Sequence, residues 1–272
     1  LRLARNVFFI TQKVIRYLKL ACRVIKQSFG LAYKLSYIKK SIPIRLIKEL
    51  DKAKKYTVLK THVYNNSFDD KGQFNDDFFG KLPSFLAKKR NVLSLVHIHG
   101  DLKLILRKIS KNKNLIIIPY NYFLTYRDVL AALIKFLFFR IHIKTVYFNG
   151  VDVSNVIREE IKRTRFSLDQ YLFYDSIKHF IKLFKVELFI YTYENIPWER
   201  MGILALRQFS PYTRIIGYQH SIVPQAHTGV FMSQSEIECA PMPDKILTVG
   251  EVTREIICRY SDFKNGVVEA AC

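Results

Sequence analysis

Short apolar runs alternate with longer amphipathic stretches along this chain, and the two periods separate strands from helices. Residues 55–64 (KYTVLKTHVY), 91–98, 114–119, 186–192, 213–218 and 244–249 are rich in β-branched and aromatic side chains and predict strands. A further strand is predicted to begin at Val267. Helical spacing predicts helices starting near Pro83 and over Tyr120–Arg140, Val151–Arg165, Leu168–Phe184, Trp198–Phe209 and Glu251–Tyr260. Pro197 suits the first turn of its helix, where a missing N–H costs nothing. Asn149-Gly150 is a turn signal, and the aromatic residues Phe136, Phe138 and Phe139 are expected in the core. The stretch Ile222–Pro243 is long for a connection in a compact domain. Strands alternating with helices predict an α/β fold built on a doubly wound, mainly parallel sheet.

The first fifty residues follow a different pattern. Val14, Ile15, Leu18, Ala21, Cys22, Ile25 and Phe29 mark one face of a long helix, and Lys13, Arg16, Lys19, Arg23 and Lys26 mark the other. Residues 1–50 hold twelve Lys and Arg against Glu49 alone, so more than half of the net charge of +21 lies there. This divides the chain into a basic helical segment, 1–50, and an α/β domain, 51–272. One-signed charge beside an apolar face predicts attachment to an anionic membrane surface; an ordinary packed helix with a solvated face is the competing reading.

Composition narrows the class further. With 49% hydrophobic residues over 272 positions the chain is globular and can bury one substantial core or two modest ones. Cys22, Cys239, Cys258 and Cys272 show neither metal-type spacing nor a disulfide framework, which points to a reducing cytoplasm. The most apolar run, Val129–Phe148, is interrupted by Lys135, Arg140, His142 and Lys144, so no spanning helix is expected. The sequence begins at Leu1 and stops within a predicted strand, which leads us to expect further chain at both ends.

Several chemistries lack their signatures. No G-x-G-x-x-G, G-x-x-x-x-G-K-[ST] or G-x-S-x-G occurs, so dinucleotide, P-loop and hydrolase-elbow readings recede and no cofactor is expected. Nucleic acid is not an expected partner, because charge is its only support. His97 and His99 would alternate onto one face of a strand, but no carboxylate or cysteine set accompanies them; structural histidines are expected, and no metal.

Two apolar strands end abruptly in ionisable residues. The first discharges into Glu194 and Asn195, the second into Gln219, His220 and Ser221. Ligands of open α/β sheets sit at the carboxyl ends of the strands, so a carboxylate and an imidazole reach the same rim. Glu194 can serve as base toward an acceptor hydroxyl, and a His220 imidazolium can offset charge on a departing phosphate. The competing reading is that Glu194 or Glu199 merely caps the helix beginning at Pro197.

The blocks Asn66-Ser-Phe-Asp69, Phe78-Phe-Gly-Lys-Leu-Pro83, Tyr193-Glu-Asn-Ile-Pro-Trp-Glu-Arg200, Gly217-Tyr-Gln-His-Ser221 and Pro243-Asp-Lys-Ile-Leu-Thr-Val-Gly-Glu251 resemble the N-terminal part of bacterial surface-carbohydrate biosynthesis proteins. Those proteins are similar to GT-B glycosyltransferases, in which two Rossmann-like domains face each other across a cleft. The resemblance spans roughly residues 55–272 and implies a Rossmann-like acceptor-side domain. It implies transfer of a sugar from a nucleotide-sugar donor, held by a C-terminal domain beyond this chain, to a glycan or lipid-linked acceptor of lipopolysaccharide, O-antigen or capsule. Glu194 and His220 are the expected catalytic residues. Ser67, Asp69, Asn195, Glu199, Arg200, Gln219, Ser221 and Glu251 are the expected substrate contacts. The expected location is cytoplasmic, peripheral on the inner face of the cytoplasmic membrane. A non-catalytic sugar- or lipid-binding module of the same assembly system is the alternative function.

Overall fold

The computed structural model describes residues 2–42, 47, 50, 52–112, 115–138, 144–163, 168–223 and 228–271. The domain boundary expected at residue 50 falls beside residues outside this set. The first helix, α1, runs Arg2–Ser41. The strands are β1 (Lys55–Val63), β2 (Asn91–Ile98), β3 (Ile116–Pro119), a small pair β4 (Tyr147–Phe148) and β5 (Val151–Asp152), then β6 (Lys185–Thr192), β7 (Arg214–Gln219), β8 (Lys245–Thr248) and β9 (Val268–Ala270). The remaining helices are α2 (Leu82–Ala87), α3 (Leu102–Lys111), α4 (Tyr126–Phe138), α5 (Ser154–Arg163), α6 (Leu168–Leu183), α7 (Pro197–Phe209), α8 (Gln234–Cys239) and α9 (Glu251–Tyr260). Chain contacts separate two compact units, Leu1–Tyr33 with Thr125–Leu172, and Lys34–Leu124 with Phe173–Cys272.

The second unit carries a seven-stranded, wholly parallel sheet in the order β3-β2-β1-β6-β7-β8-β9, a Rossmann-like doubly wound arrangement. Helices occupy the crossovers that parallel strands require. Central strands of such a sheet are covered on both faces and read as continuous rather than alternating apolar runs, which is why Tyr56–Thr61 is buried without interruption. Leu93 and Leu95 face a core shared with Phe173, Ile177 and Phe180 of α6 and Ile203 and Leu206 of α7. Val96 and Ile98 join a second core with Ile38 and Ile42 and with Ile105, Leu106 and Ile109 of α3. The order reverses between β1 and β6: the chain leaves β1 toward β2 on one side and leaves β6 toward β7 on the other. That switch point is where ligands of doubly wound sheets bind.

Gly202 shows how tightly α7 packs. A Cβ there would lie 2.5 Å from Cε1 of Phe173, whose buried ring stands edge-on to Tyr120 and Trp198. Overpacking a core costs about 1–3 kcal/mol, whereas Ala gains only about 1 kcal/mol over Gly inside a helix. Gly202→Ala is therefore expected to lower the denaturant midpoint by an amount worth up to about 2 kcal/mol. A midpoint unchanged or raised would mean that Phe173 yields freely.

Three expectations change over residues 120–152. The helix anticipated over Tyr120–Arg140 is broken: Tyr120–Phe123 is a 3-10 turn, and α4 starts after Thr125, whose N–H and hydroxyl both donate to Asp128 Oδ2. Such reciprocal capping starts a new helix there; Phe139 and Arg140 lie outside the described residues. Phe138, expected in the core, is 73% exposed. Asn149 and Gly150 both adopt positive φ, 50° and 80°, which closes the β4–β5 hairpin and makes Val151 and Asp152 a strand instead of the start of a helix.

On α1 the residues Ile15, Leu18, Cys22, Ile25 and Phe29 of the expected apolar face are exposed. Val24 and Ser28 are buried instead. The side chains of Lys13, Val14 and Arg16 lie outside the described residues. The described cysteines, Cys22, Cys239 and Cys258, are free thiols. Among the described residues no helix is long and apolar enough to cross a membrane.

Candidate active site at the strand ends

At the carboxyl edge of the sheet, the turn after β6 and the end of β7 bring Glu194 and His220 together, Oε1 to Nε2, at 3.6 Å. The Glu194 side chain is 41% exposed and that of His220 14%. Burial draws the His220 pKa below its ordinary value, against Glu194 and the Tyr218 backbone, which favour the proton. At pH 7 the imidazole is therefore neutral, suited to accepting a proton or a hydrogen bond rather than to the cationic role expected from sequence.

The turn that presents Glu194 is held from beneath. Glu199 is buried, and its Oε1 and Oε2 accept from the backbone N–H groups of Glu194 (2.9 Å) and Asn195 (2.8 Å). Asn195 sits at φ 59°, a left-handed conformation that Asn tolerates better than most residues. Burial pushes the Glu199 carboxyl well above the usual range, while the N–H donors of Glu194 and Asn195 pull it down. Glu199, expected as a substrate contact, holds the turn before α7, and no side chain caps the helix itself. Glu199→Ala is expected to destabilise the fold by about 1–3 kcal/mol for each N–H left without an acceptor. Chemical denaturation checks it, and a loss near zero would show that water replaces the carboxylate.

Other expected substrate contacts are also engaged within the protein. The Asn195 side-chain amide donates to the Gly229 carbonyl (2.6 Å) and accepts from Arg200 Nε (3.1 Å), and Arg200 pairs with Glu236 of α8. Together they pin the long segment after β7 to the start of α7. Ser67 is buried; its hydroxyl accepts from Tyr64 N–H and donates to Asp77 Oδ2, both at 2.9 Å. Gln219 is buried with its amide on the Ser221 carbonyl. Ser221 is exposed at the rim beside His220. Asp69 closes its own turn by accepting from Gln73 N–H (2.8 Å), and Glu251 pairs with Arg254 at the start of α9. Asp69 belongs to the turn after β1, and Glu251 to the start of α9 after β8.

Next to that pair stands a cluster that the sequence did not assemble. His62 on β1 lies directly opposite His97 on β2, and His99 follows at the end of β2. His62 Nδ1 and His99 Nε2 are 2.9 Å apart. The His97 and His99 rings stack at 4.5 Å, and Tyr64 stacks on His99 at 5.1 Å. Phe78 bridges to the rim, 5.3 Å from His62 and edge-on to His220 at 4.7 Å. Below, Lys60 is 1% exposed, and its Nζ lies 4.3 Å from the ring centroid of Trp198, a cation–π contact. Burial, reinforced by Lys60, brings the His62 pKa down to about 2 and carries His97 in the same direction. Both imidazoles are neutral at physiological pH. The signal for His62 was its position: residues 60, 62 and 64 share one face of β1, and the last residues of β1 and β2 are in register. The comparisons assign this site to no known group: no family model, no curated protein and no solved structure matches the chain.

Proposed function

We propose that this chain is the acceptor-side α/β domain of a glycosyltransferase of bacterial surface-polysaccharide biosynthesis. The observation that carries the reading is the Glu194/His220 pair, 3.6 Å apart at the carboxyl ends of β6 and β7, next to the switch point of a doubly wound sheet. Glu194 takes the proton of an acceptor hydroxyl as it attacks the anomeric carbon of a nucleotide sugar, and the carbon–phosphate-oxygen bond breaks. The neutral His220 orients Glu194 or the acceptor by hydrogen bonding. Phe78 and Tyr64 beside the pair offer flat apolar faces on which a sugar ring can stack. The donor is held by a companion domain, as the resemblance implies. The same aromatic faces favour the second reading, a non-catalytic sugar-binding module.

The first unit supports a lipid-linked class of acceptor. Exposed apolar residues on α1 alternate with exposed Lys19, Arg23 and Lys26, a combination suited to the surface of an anionic membrane. A lipid-linked acceptor is presented there. Transfer from a panel of nucleotide sugars to lipid-linked and free glycans, compared between wild type and Glu194→Gln, tests the reading. Absence of transfer by the intact protein with every donor would remove it.

A further inference from the structure

We propose that His62, His97 and His99 form a binding site for a divalent transition metal of the zinc class at the carboxyl ends of β1 and β2. The candidate ligand nitrogens of the three side chains all lie within 4.8 Å of one another. Tetrahedral zinc, with Zn–N of about 2.0–2.1 Å, spaces its ligand atoms by about 3.3 Å. The 2.9 Å between His62 Nδ1 and His99 Nε2 is already inside that distance, and the stacked His97 and His99 rings need only rotate apart about their side-chain torsions.

The three anchor points are set by the sheet rather than by loops. His62 and His97 are register partners of β1 and β2, and the His99 N–H donates to the Val63 carbonyl at 2.8 Å. A site built on paired strands holds its ligands more precisely than one built on loops. Imidazole suits zinc, copper, nickel and iron, and three protein ligands are the number that a reactive rather than a structural zinc site uses.

Lys60, buried on the same face of β1, works against a dication, whereas the carboxylates Glu194 and Asp77 at the rim favour one. The fourth ligand is a water or an oxygen of a bound molecule. Phe78, 5.3 Å from His62 and 4.7 Å from His220, links the three histidines to the Glu194/His220 pair. The inference does not depend on the glycosyltransferase reading, because its test measures binding.

Untagged protein, stripped with chelator and desalted, is titrated with Zn(II) by calorimetry and with Co(II) by absorption spectroscopy. The expected result is one ion per chain, with the intense visible bands of four- or five-coordinate cobalt. His62→Ala and His97→Ala should each weaken binding by more than the roughly 10–100-fold that loss of an outer partner costs, while His179→Ala leaves it unchanged. Should the variants fail to fold, ring-nitrogen NMR of the wild type decides, since zinc must shift the resonances of these three histidines. Weak pink six-coordinate cobalt spectra, binding that survives both variants, or unshifted ring nitrogens would each overturn the proposal.

Discussion

Replacing Glu194 by Gln is expected to cut sugar transfer roughly 10²–10⁴-fold, the range that a positioned general base contributes, with no loss of stability. The two halves of this expectation have separate causes. Gln has the shape of Glu but cannot take a proton, so only the chemical step suffers. Stability is spared because the turn is held through its backbone: Glu199 accepts from the N–H groups of residues 194 and 195, and the Glu194 side chain is not part of that bond. Single-turnover transfer beside a thermal melt separates the outcomes. Equal falls in kcat and kcat/KM place Glu194 in the transition state, whereas a rise in KM alone makes it a binding group. A near-normal rate would leave the pair without a catalytic role and favour the sugar-binding module. His220→Ala supplies the companion measurement. Because His220 is partly buried and neutral, its removal should slow turnover without shifting the salt dependence of the reaction; an effect confined to stability would make it a packing residue.

The parts of this molecule that could be read from sequence are those fixed by neighbours in the chain. β2 and α9 fall where periodicity put them, because each is bounded by strong local signals: Arg90-Asn91 and Gly100 around the strand, Gly250 and Ser261 around the helix. The break between Tyr120–Phe123 and α4 was written locally as Thr125-x-x-Asp128, a capping pattern that the surrounding apolar run concealed. Hairpin chemistry at Asn149-Gly150 was legible as a turn, but only strand pairing shows that it commits Val151 and Asp152. At the site, Glu194 and His220 were visible because both end apolar strands, and a parallel sheet sends all such ends to one edge. The bonds that Glu199, Asn195 and Arg200 make within the protein were not legible, because polarity beside a strand end marks both substrate contacts and the residues that hold the turn. His62 could not be joined to His97 and His99 without the register of β1 on β2, which is a long-range property.

Changing Lys19, Arg23 and Lys26 together to Gln is expected to reduce binding to anionic vesicles by about 10²-fold, at about 1 kcal/mol for each cation near the surface. All three are exposed on α1, and so are the apolar residues between them, including Leu18, Ile25 and Phe29 at 74%. A helix that owed its pattern to packing would bury those apolar positions, whereas here Val24 and Ser28 are buried. The same compact unit leaves a second stripe uncovered on α4: Tyr126, Leu130, Ile134 and Phe138, four residues apart and all exposed. Fully burying one such side chain is worth about 1.5–3 kcal/mol, so insertion of even two supplies much of the affinity and charge sets the preference for anionic lipid. The two contributions separate experimentally. Salt weakens the charged part, since surface potentials decay over about 10 Å at 0.1 M, and Leu18→Ser with Phe29→Ser weakens binding at every salt concentration. Vesicle co-sedimentation with anionic and neutral lipid reads both. Equal sedimentation with the two lipids, or none with either, would assign these apolar stripes to contact with protein instead.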